Sequence, residues 1–272
     1  LGSGKFTGVL LISDYDDTLY GSDLHVSEEN RAAIRSFMEQ GGLFTVATGR
    51  ARKTFSPQVE KENIPLNAPA ILSNGATIFD YQADKLVRRT YLPDRVLQDM
   101  AQLCRVFPDL GFEAYYQNEI YVHNPNAVTH SHMERVGMDY TVLPIEKLPT
   151  PLTKIILEQD APLLEAAQSY LLERAGEHYE VIFSNRYLLE LTAKGSHKGG
   201  SALWLADHLG IRREHLYCVG DNQNDIPMLE VSHIPFAPQG CSRQVVEWGP
   251  RLVRSCDDGC VASVIEILDG IY

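Results

Sequence analysis

Val9-Leu10-Leu11-Ile12-Ser13-Asp14-Tyr15-Asp16-Asp17-Thr18 decides the fold: an unbroken apolar run stops at a pair of aspartates spaced two apart. A short continuous run of this kind reads as a parallel strand buried on both faces, and the acids mark the place where it leaves the core. Leu216-Tyr217-Cys218-Val219 repeats the arrangement near the far end of the chain and delivers Gly220-Asp221-Asn222-Gln223-Asn224-Asp225. Open α/β sheets bind ligands in the crevice beyond the carboxyl ends of their strands, so both acid pairs are expected at one point. Four carboxylates gathered there repel, and a hard cation such as Mg²⁺, held by one or two of them and by substrate oxygens, relieves the repulsion. The residues alone therefore suggest a metal site that handles phosphate.

Outward from the first run, the order strand, helix, strand continues. Ser27 is placed to cap a helix with Glu28 and Glu29 in its first turn and Ala33, Ile34, Phe37 and Met38 on one face, and Gly41-Gly42 ends it. Leu43-Phe44-Thr45-Val46-Ala47 then leads to Thr48-Gly49-Arg50, and Ala70-Ile71-Leu72 to Ser73-Asn74-Gly75. The same texture returns late, with a helix from about Lys198 to His208, strands at Ile234-Pro235-Phe236-Ala237 and Leu252-Val253, and a closing helix on Val261, Val264, Ile265 and Leu268. Between these blocks the pattern changes. A hairpin is expected over 78–91, and a helix after Pro93 carries Val96, Leu97, Met100, Leu103 and Cys104. Strands follow at Phe112 to Tyr116, Ile120 to His123, Thr153 to Glu158 and Tyr179 to Phe183, with a second helix near Pro162 to Glu173. The expected fold is α/β: a Rossmann-like parallel-sheet core in two pieces, 1–90 and 189–272, interrupted by an inserted α+β domain over 91–188.

The bulk numbers restrict the partners. With 44% hydrophobic side chains in 272 residues, the chain can bury full cores. Its 24 basic and 36 acidic residues give a net charge of -12, which opposes sequence-independent binding to nucleic acid or anionic membrane. No apolar run approaches the length of a membrane span and the start lacks a secretory pattern, so a soluble, cytoplasmic chain is expected, as a monomer or small homo-oligomer. The five cysteines, at 104, 218, 241, 256 and 260, show no CxxC spacing and read as reduced thiols. The nine histidines, the His130 and His132 pair included, look scattered and give little support for a soft-metal site. Leu1-Gly2-Ser3-Gly4-Lys5 lacks the spacing of a phosphate-binding loop and reads as a chain end.

Taken singly, each polar station has an ordinary alternative. Asp14 can attack phosphorus as a nucleophile or hold a metal, and Asp16 can serve as acid and base if its environment raises its pKa, yet an Asp-rich turn also caps backbone amides. Thr48 and Gly49 can donate to a phosphoryl oxygen or simply break a strand. Lys198 at a helix start attracts phosphate, although a lysine there is commonly surface charge. Asp221 can hold Mg²⁺ and Asp225 can orient Lys198, with the amides of Asn222 and Asn224 completing the loop; Asp225 can equally cap a helix before Pro227.

In combination, DxDxT at Asp14, Thr48-Gly49-Arg50, Lys198 before a helix, and Gly220-Asp221-Asn222-Gln223-Asn224-Asp225 resemble the haloacid dehalogenase superfamily of phosphohydrolases. Ser73-Asn74-Gly75-Ala76 and the large insert look like its Cof-type subfamily, which includes sugar-phosphate phosphatases. The resemblance implies that Asp14 is nucleophile and metal ligand, and that Asp16 is acid/base and a ligand through its carbonyl. It implies that Asp221, with Asn222, completes a Mg²⁺ site, and that the Tyr15 backbone, Thr48, Gly49, Lys198 and Asn224 hold the transferring phosphoryl group. Members that pump ions lack the second acid, so Asp16 favours rapid hydrolysis. Two departures stand out: Asp17 occupies a position where the family usually has glycine, and Ala237-Pro238-Gln239-Gly240-Cys241-Ser242 replaces a customary Asn-Ala step.

The insert would then be a cap that closes over the cleft and reads the leaving group of a small phosphorylated metabolite, with a sugar phosphate the leading expectation. Tyr115, Tyr116, His123, Asn185 and Arg186 are candidate readers, and Arg50 and Asn74 are candidates for contacts from the core side. Two rivals stand beside a phosphatase. One is a phosphomutase or phosphotransferase on the same core; the other is a non-catalytic protein that binds phosphate or a nucleotide sugar through the metal.

Overall fold

The computed structural model describes residues 4–272; Leu1, Gly2 and Ser3 of the opening stretch lie outside the described residues. The first core segment runs β1 (Leu10–Ser13), α1 (Glu28–Glu39), β2 (Leu43–Val46), α2 (Arg52–Lys61), β3 (Ala70–Leu72), β4 (Thr77–Asp80) and β5 (Lys85–Arg89). The middle segment runs α3 (Val96–Val106), β6 (Gly111–Tyr116), β7 (Glu119–His123), α4 (Ala127–Val136), β8 (Thr141–Val142), β9 (Lys154–Glu158), α5 (Ala161–Ala175), β10 (Tyr179–Asn185) and β11 (Leu188–Ala193). The last runs α6 (Lys198–His208), β12 (Leu216–Val219), α7 (Ile226–Leu229), β13 (Pro235–Pro238), α8 (Arg243–Trp248), β14 (Arg251–Val253) and α9 (Cys260–Asp269).

Five parallel strands in the order β14-β13-β12-β1-β2 form the core sheet. β1 and β12 are buried throughout, as their unbroken apolar sequences require, because helices cover both faces. On one side Leu11, Tyr217, Val219, Phe37 and Val264 pack together; on the other, Leu10, Ile12 and Cys218 meet Ala202, Leu205 and Met228. Chain order reverses at β1, whose neighbours come from opposite ends of the sequence. Register places Ser13 level with both Val219 and Val46, so the residues that follow these three strands emerge side by side. The antiparallel sheet β3-β4-β5 attaches through a bridge between Ala47 and Ile71. Ser27 caps α1 by accepting from the Asn30 N–H, as its position in the sequence suggests.

The inserted domain is a six-stranded sheet, β10-β11-β9-β6-β7-β8. Its apolar face holds Phe112, Ala114, Ile155, Leu157, Leu189 and Leu191 against Met100 and Leu103 of α3 and Leu164 and Leu171 of α5. Two features extend the expected two-helix unit. β11 pairs with β10 and β9, so the sheet runs across the expected joint at 188/189. The helix α4 has a capping box at Asn126 and Thr129 and ends at Gly137, but only Thr129 and Met133 are buried along it, which leaves little apolar periodicity to read. Among the described residues no helix is long and apolar enough to cross a membrane, and the five cysteines are free.

Candidate active site

The exits of β1 and β12 meet at a buried ion cluster. Asp14 follows β1, with its N–H bonded to the Val219 carbonyl at 2.8 Å, and is only 6% exposed. Lys198, the first residue of α6 and 1% exposed, donates to Asp14 Oδ1 at 2.5 Å and to Asp225 Oδ1 at 2.6 Å. Asp225 accepts from the Asp221 and Asn222 amides at Oδ2, both at 3.0 Å, so its two oxygens are already committed. Thr18 donates to Asp221 Oδ1 at 3.2 Å. The DxDxT threonine thus ties the first acid loop to the second.

Asp14, Asp221 and Asp225 present carboxylate oxygens within 4.8 Å of one another, against the single Lys198 ammonium. Burial first, and the Asp225 charge next, hold the Asp14 carboxyl well above the usual carboxylate range, with Lys198 pulling it back. The same two causes push Asp221 up to about 7. Lys198 is moved the other way. Burial works against its charge, but Asp14 and Asp225 outweigh that and raise its pKa, keeping it cationic. An all-oxygen donor set with surplus negative charge fits a hard divalent cation. With Asp225 occupied, Asp14 and Asp221 are the side chains with capacity for it.

Asp16 does not join this cluster. Its carboxylate is 46% exposed and forms a two-pronged pair with Arg50, from Nη2 at 2.6 Å and Nε at 2.9 Å. Arg50 is steadied by the faces of Tyr15 and Tyr20, 5.2 and 5.9 Å from its guanidinium carbon. The expected gathering of four acids is therefore three acids and a lysine, with the fourth acid beside them on an arginine. Tyr15 itself is buried, stacks on Tyr20, and donates its hydroxyl to Gln58 Oε1 at 3.2 Å.

Thr48 is buried, and its oxygen accepts the Arg50 N–H at 3.1 Å, leaving its own proton to donate. Gly49 is tight: a Cβ there would lie 3.2 Å from Glu190 Oε1 and 3.3 Å from Asn74 Nδ2. Asn74, at φ 51, accepts from Asn224 Nδ2 at 3.2 Å, which links the expected Asn74 and Asn224 across the cleft. Asn222 has its oxygen on the Gln223 amide and its Nδ2 on the Ser184 carbonyl of β10 at 3.0 Å, so its side chain bridges core to cap. Asn185 accepts from the Tyr187 N–H and Arg186 is exposed over the Tyr187 ring, which spends both on the β10–β11 turn. Tyr115 donates to Glu113, Tyr116 accepts from Gln117, and His123 packs on Phe112; none of these reaches the Asp14 cluster.

Two residues that the sequence left unremarked, Lys154 and Glu190, face the Gly49 loop. Lys154 on β9, 2% exposed, donates to the Gly49 carbonyl at 2.8 Å and to Glu190 Oε2 of β11 at 3.1 Å. Their signal was available: a lysine and a glutamate inside otherwise apolar strand runs are seldom buried unless paired.

Asp17 sits at φ 59, in the left-handed region. This explains glycine as the customary residue and aspartate as a tolerated one. Burial foremost, then Asp16, raises the Asp17 carboxyl, but the residue is exposed and water screens its charge, so the left-handed backbone is what a substitution would relieve. Asp17→Gly should therefore raise the apparent melting temperature by about 2 °C, since each kcal/mol moves a chain of this size by a few degrees. A fall on calorimetric melting would contradict that account.

The family model described as haloacid dehalogenase-like hydrolase matches residues 11–265. The chain belongs to this family. As a haloacid dehalogenase-like hydrolase it is an enzyme of the phosphatase type. It is 26% identical over 290 residues to the Bacillus subtilis 5-amino-6-(5-phospho-D-ribitylamino)uracil phosphatase YwtE, covering 95% of this chain and 98% of the relative. A second B. subtilis protein of that activity name, YitU, is 26% identical over 235 residues, 81% of this chain and 83% of the relative. Among solved structures, the haloacid dehalogenase subclass IIB sugar phosphatase BT4131 superposes with a TM-score of 0.84 at 19% identity, over 97% of this chain and 100% of its own. A haloacid dehalogenase-like hydrolase from Bacteroides thetaiotaomicron gives 0.80 at 23% identity, over 96% and 99%. These structures share the fold of a parallel core with an inserted cap.

Proposed function

We propose that this hydrolase is a Mg²⁺-dependent phosphatase acting on a small phosphorylated metabolite with a sugar or sugar-alcohol leaving group, through a phosphorylated Asp14. The observation that carries the reading is the Lys198 bridge, which holds Asp14 at the sheet's reversal point beside the Thr48-Gly49 loop. A carboxylate fixed there attacks phosphorus, while Lys198, the Thr48 hydroxyl, the Gly49 amide and Asn224 meet the charge on the phosphoryl oxygens. When bound at Asp14 and Asp221, with the Asp16 carbonyl, Mg²⁺ supplies further charge neutralisation.

Once freed of Arg50, Asp16 takes up a proton from water, gives it to the departing alkoxide, and later takes one from the water that splits the phosphoaspartate. Its present partner, Arg50, is an obstacle and a device at once. An entering phosphate ester offers Arg50 a second anion, and its shift frees Asp16 for proton transfer. From the cap, Lys154 and Glu190 stand over Gly49 and offer an ammonium and a carboxylate to the hydroxyls of a leaving group. The ribityl chain in the names of the B. subtilis relatives supports a polyol of this kind.

The test is phosphate release from a panel of sugar phosphates, sugar-alcohol phosphates and nucleotides, with Mg²⁺ and no added acceptor. Release without acceptor supports hydrolysis over mutase or transferase chemistry, and Asp16→Asn should cut it by about 10²–10⁴-fold. Equal rates in excess chelator, or an Asp16→Asn protein as fast as the parent, would overturn the reading.

A further inference from the structure

The cap holds a second group of ligand-type side chains. Glu113 on β6 and Glu158 on β9 project from the same sheet face, because the register pairs Glu113 with Ile156 and Gly111 with Glu158. The helix α4 lays His132 over them. Both glutamates are 0% exposed, and the His132 side chain is 11% exposed. His132 Nδ1 lies 2.7 Å from Glu113 Oε1 and 3.5 Å from Glu158 Oε1. The Tyr115 hydroxyl donates to Glu113 Oε2 at 2.7 Å and the Thr129 hydroxyl to Glu158 Oε2 at 2.5 Å. That leaves Glu158 Oε1, fully buried and aimed into the group, with no hydrogen-bond partner.

Two buried carboxylates against one imidazole leave negative charge uncompensated, and one oxygen is orphaned at the point where they converge. We propose that Glu113, His132 and Glu158 form a second divalent-metal site, in the cap and separate from the catalytic cluster, suited to zinc or a similar first-row ion. One imidazole nitrogen with carboxylate oxygens is a donor set for such ions, whereas Mg²⁺ prefers oxygen alone. The 2.7 and 3.5 Å separations bracket the edge of about 3.4 Å that bonds of about 2.1 Å to a common tetrahedral centre require. In the metal-free chain a proton does part of this work: burial, foremost, holds the Glu158 carboxyl up at about 7. The ion would fasten α4 to the sheet at the seam with the core, where Met133 packs with Tyr115, Ile156 and Leu188, and Ala51 of the core lies against them.

The experiment uses the full chain, stripped with chelator and dialysed, in Mg²⁺ sufficient to fill the oxygen-only cluster, and titrates zinc chloride by calorimetry. About one zinc per chain is expected with micromolar or tighter affinity, weakened at least about ten-fold in both Glu158→Gln and His132→Asn. Asp221→Asn leaves the cap intact and should bind zinc like the parent. Should the cap variants fail to fold, this variant carries the test alone, since its uptake of zinc cannot come from an intact catalytic cluster. No zinc uptake by the parent, uptake that survives in folded cap variants, or uptake lost in Asp221→Asn overturns the proposal.

Discussion

Asp14→Asn should abolish phosphate release, by about 10⁴-fold or more, while leaving the protein folded. The magnitude is that of removing a nucleophile from a preorganised site, where the remaining groups have nothing to act with. Folding should be spared because the amide has the shape of the carboxylate, and Asp225 continues to pair with Lys198. It also removes one of the three crowded acids, whose ionised form burial disfavours. The check pairs steady-state release with a melting curve. Lost activity with an unchanged or raised melting temperature is expected, and lost activity with collapse of the fold would speak against a purely chemical role.

Lys198→Met should have the largest effect on stability of any single change at the site. Removing one partner of a buried ion pair strands the other, at a cost of about 3–5 kcal/mol, and here both Asp14 and Asp225 lose their ammonium. The apparent melting temperature should fall by about 10 °C in metal-free buffer. The sign of its pH dependence follows from the acids. Asp14 and Asp221 have folded-state pKa values raised by burial, Asp221 to about 7, and losing Lys198 raises them further. Their ionised forms therefore burden the variant above that range, and protonation relieves it as pH falls. The gap between parent and variant should narrow below about pH 7 and widen above it. Added Mg²⁺ should recover part of the loss, and a gap that ignores both pH and Mg²⁺ would contradict this electrostatic account.

Much of this arrangement can be read from local patterns. Continuous apolar runs ending in acids identify β1 and β12, and their convergence follows from a rule about parallel sheets that needs no coordinates. Ser27 and the placement of Lys198 at a helix start are equally local features. What escaped depends on partners distant in the chain. Nothing around Asp16 announces that Arg50 will claim its carboxylate, because the pair spans two loops that only the sheet brings together. α4 carries polar side chains toward a buried polar row, so the usual apolar periodicity is absent, and its capping box is the better signal. β11 continues the cap sheet past a point where the sequence already resembles the returning core, because both are apolar. Lys154 and Glu190 are hidden for the opposite reason: Lys154 lies in a segment that reads as a strand, Glu190 in one with no element assigned, and nothing local shows that the two charges pair over Gly49.

The central claim is that Asp14 itself becomes phosphorylated. Mixing the Mg²⁺-loaded enzyme with a substrate that it turns over, quenching in acid within a single turnover, and mapping peptides by mass spectrometry tests this directly. The account predicts one added phosphoryl group on the peptide that contains Asp14, absent in Asp14→Asn. A phosphoryl group on another residue, or full turnover with no phosphorylated peptide and an active Asp14→Asn protein, would contradict it.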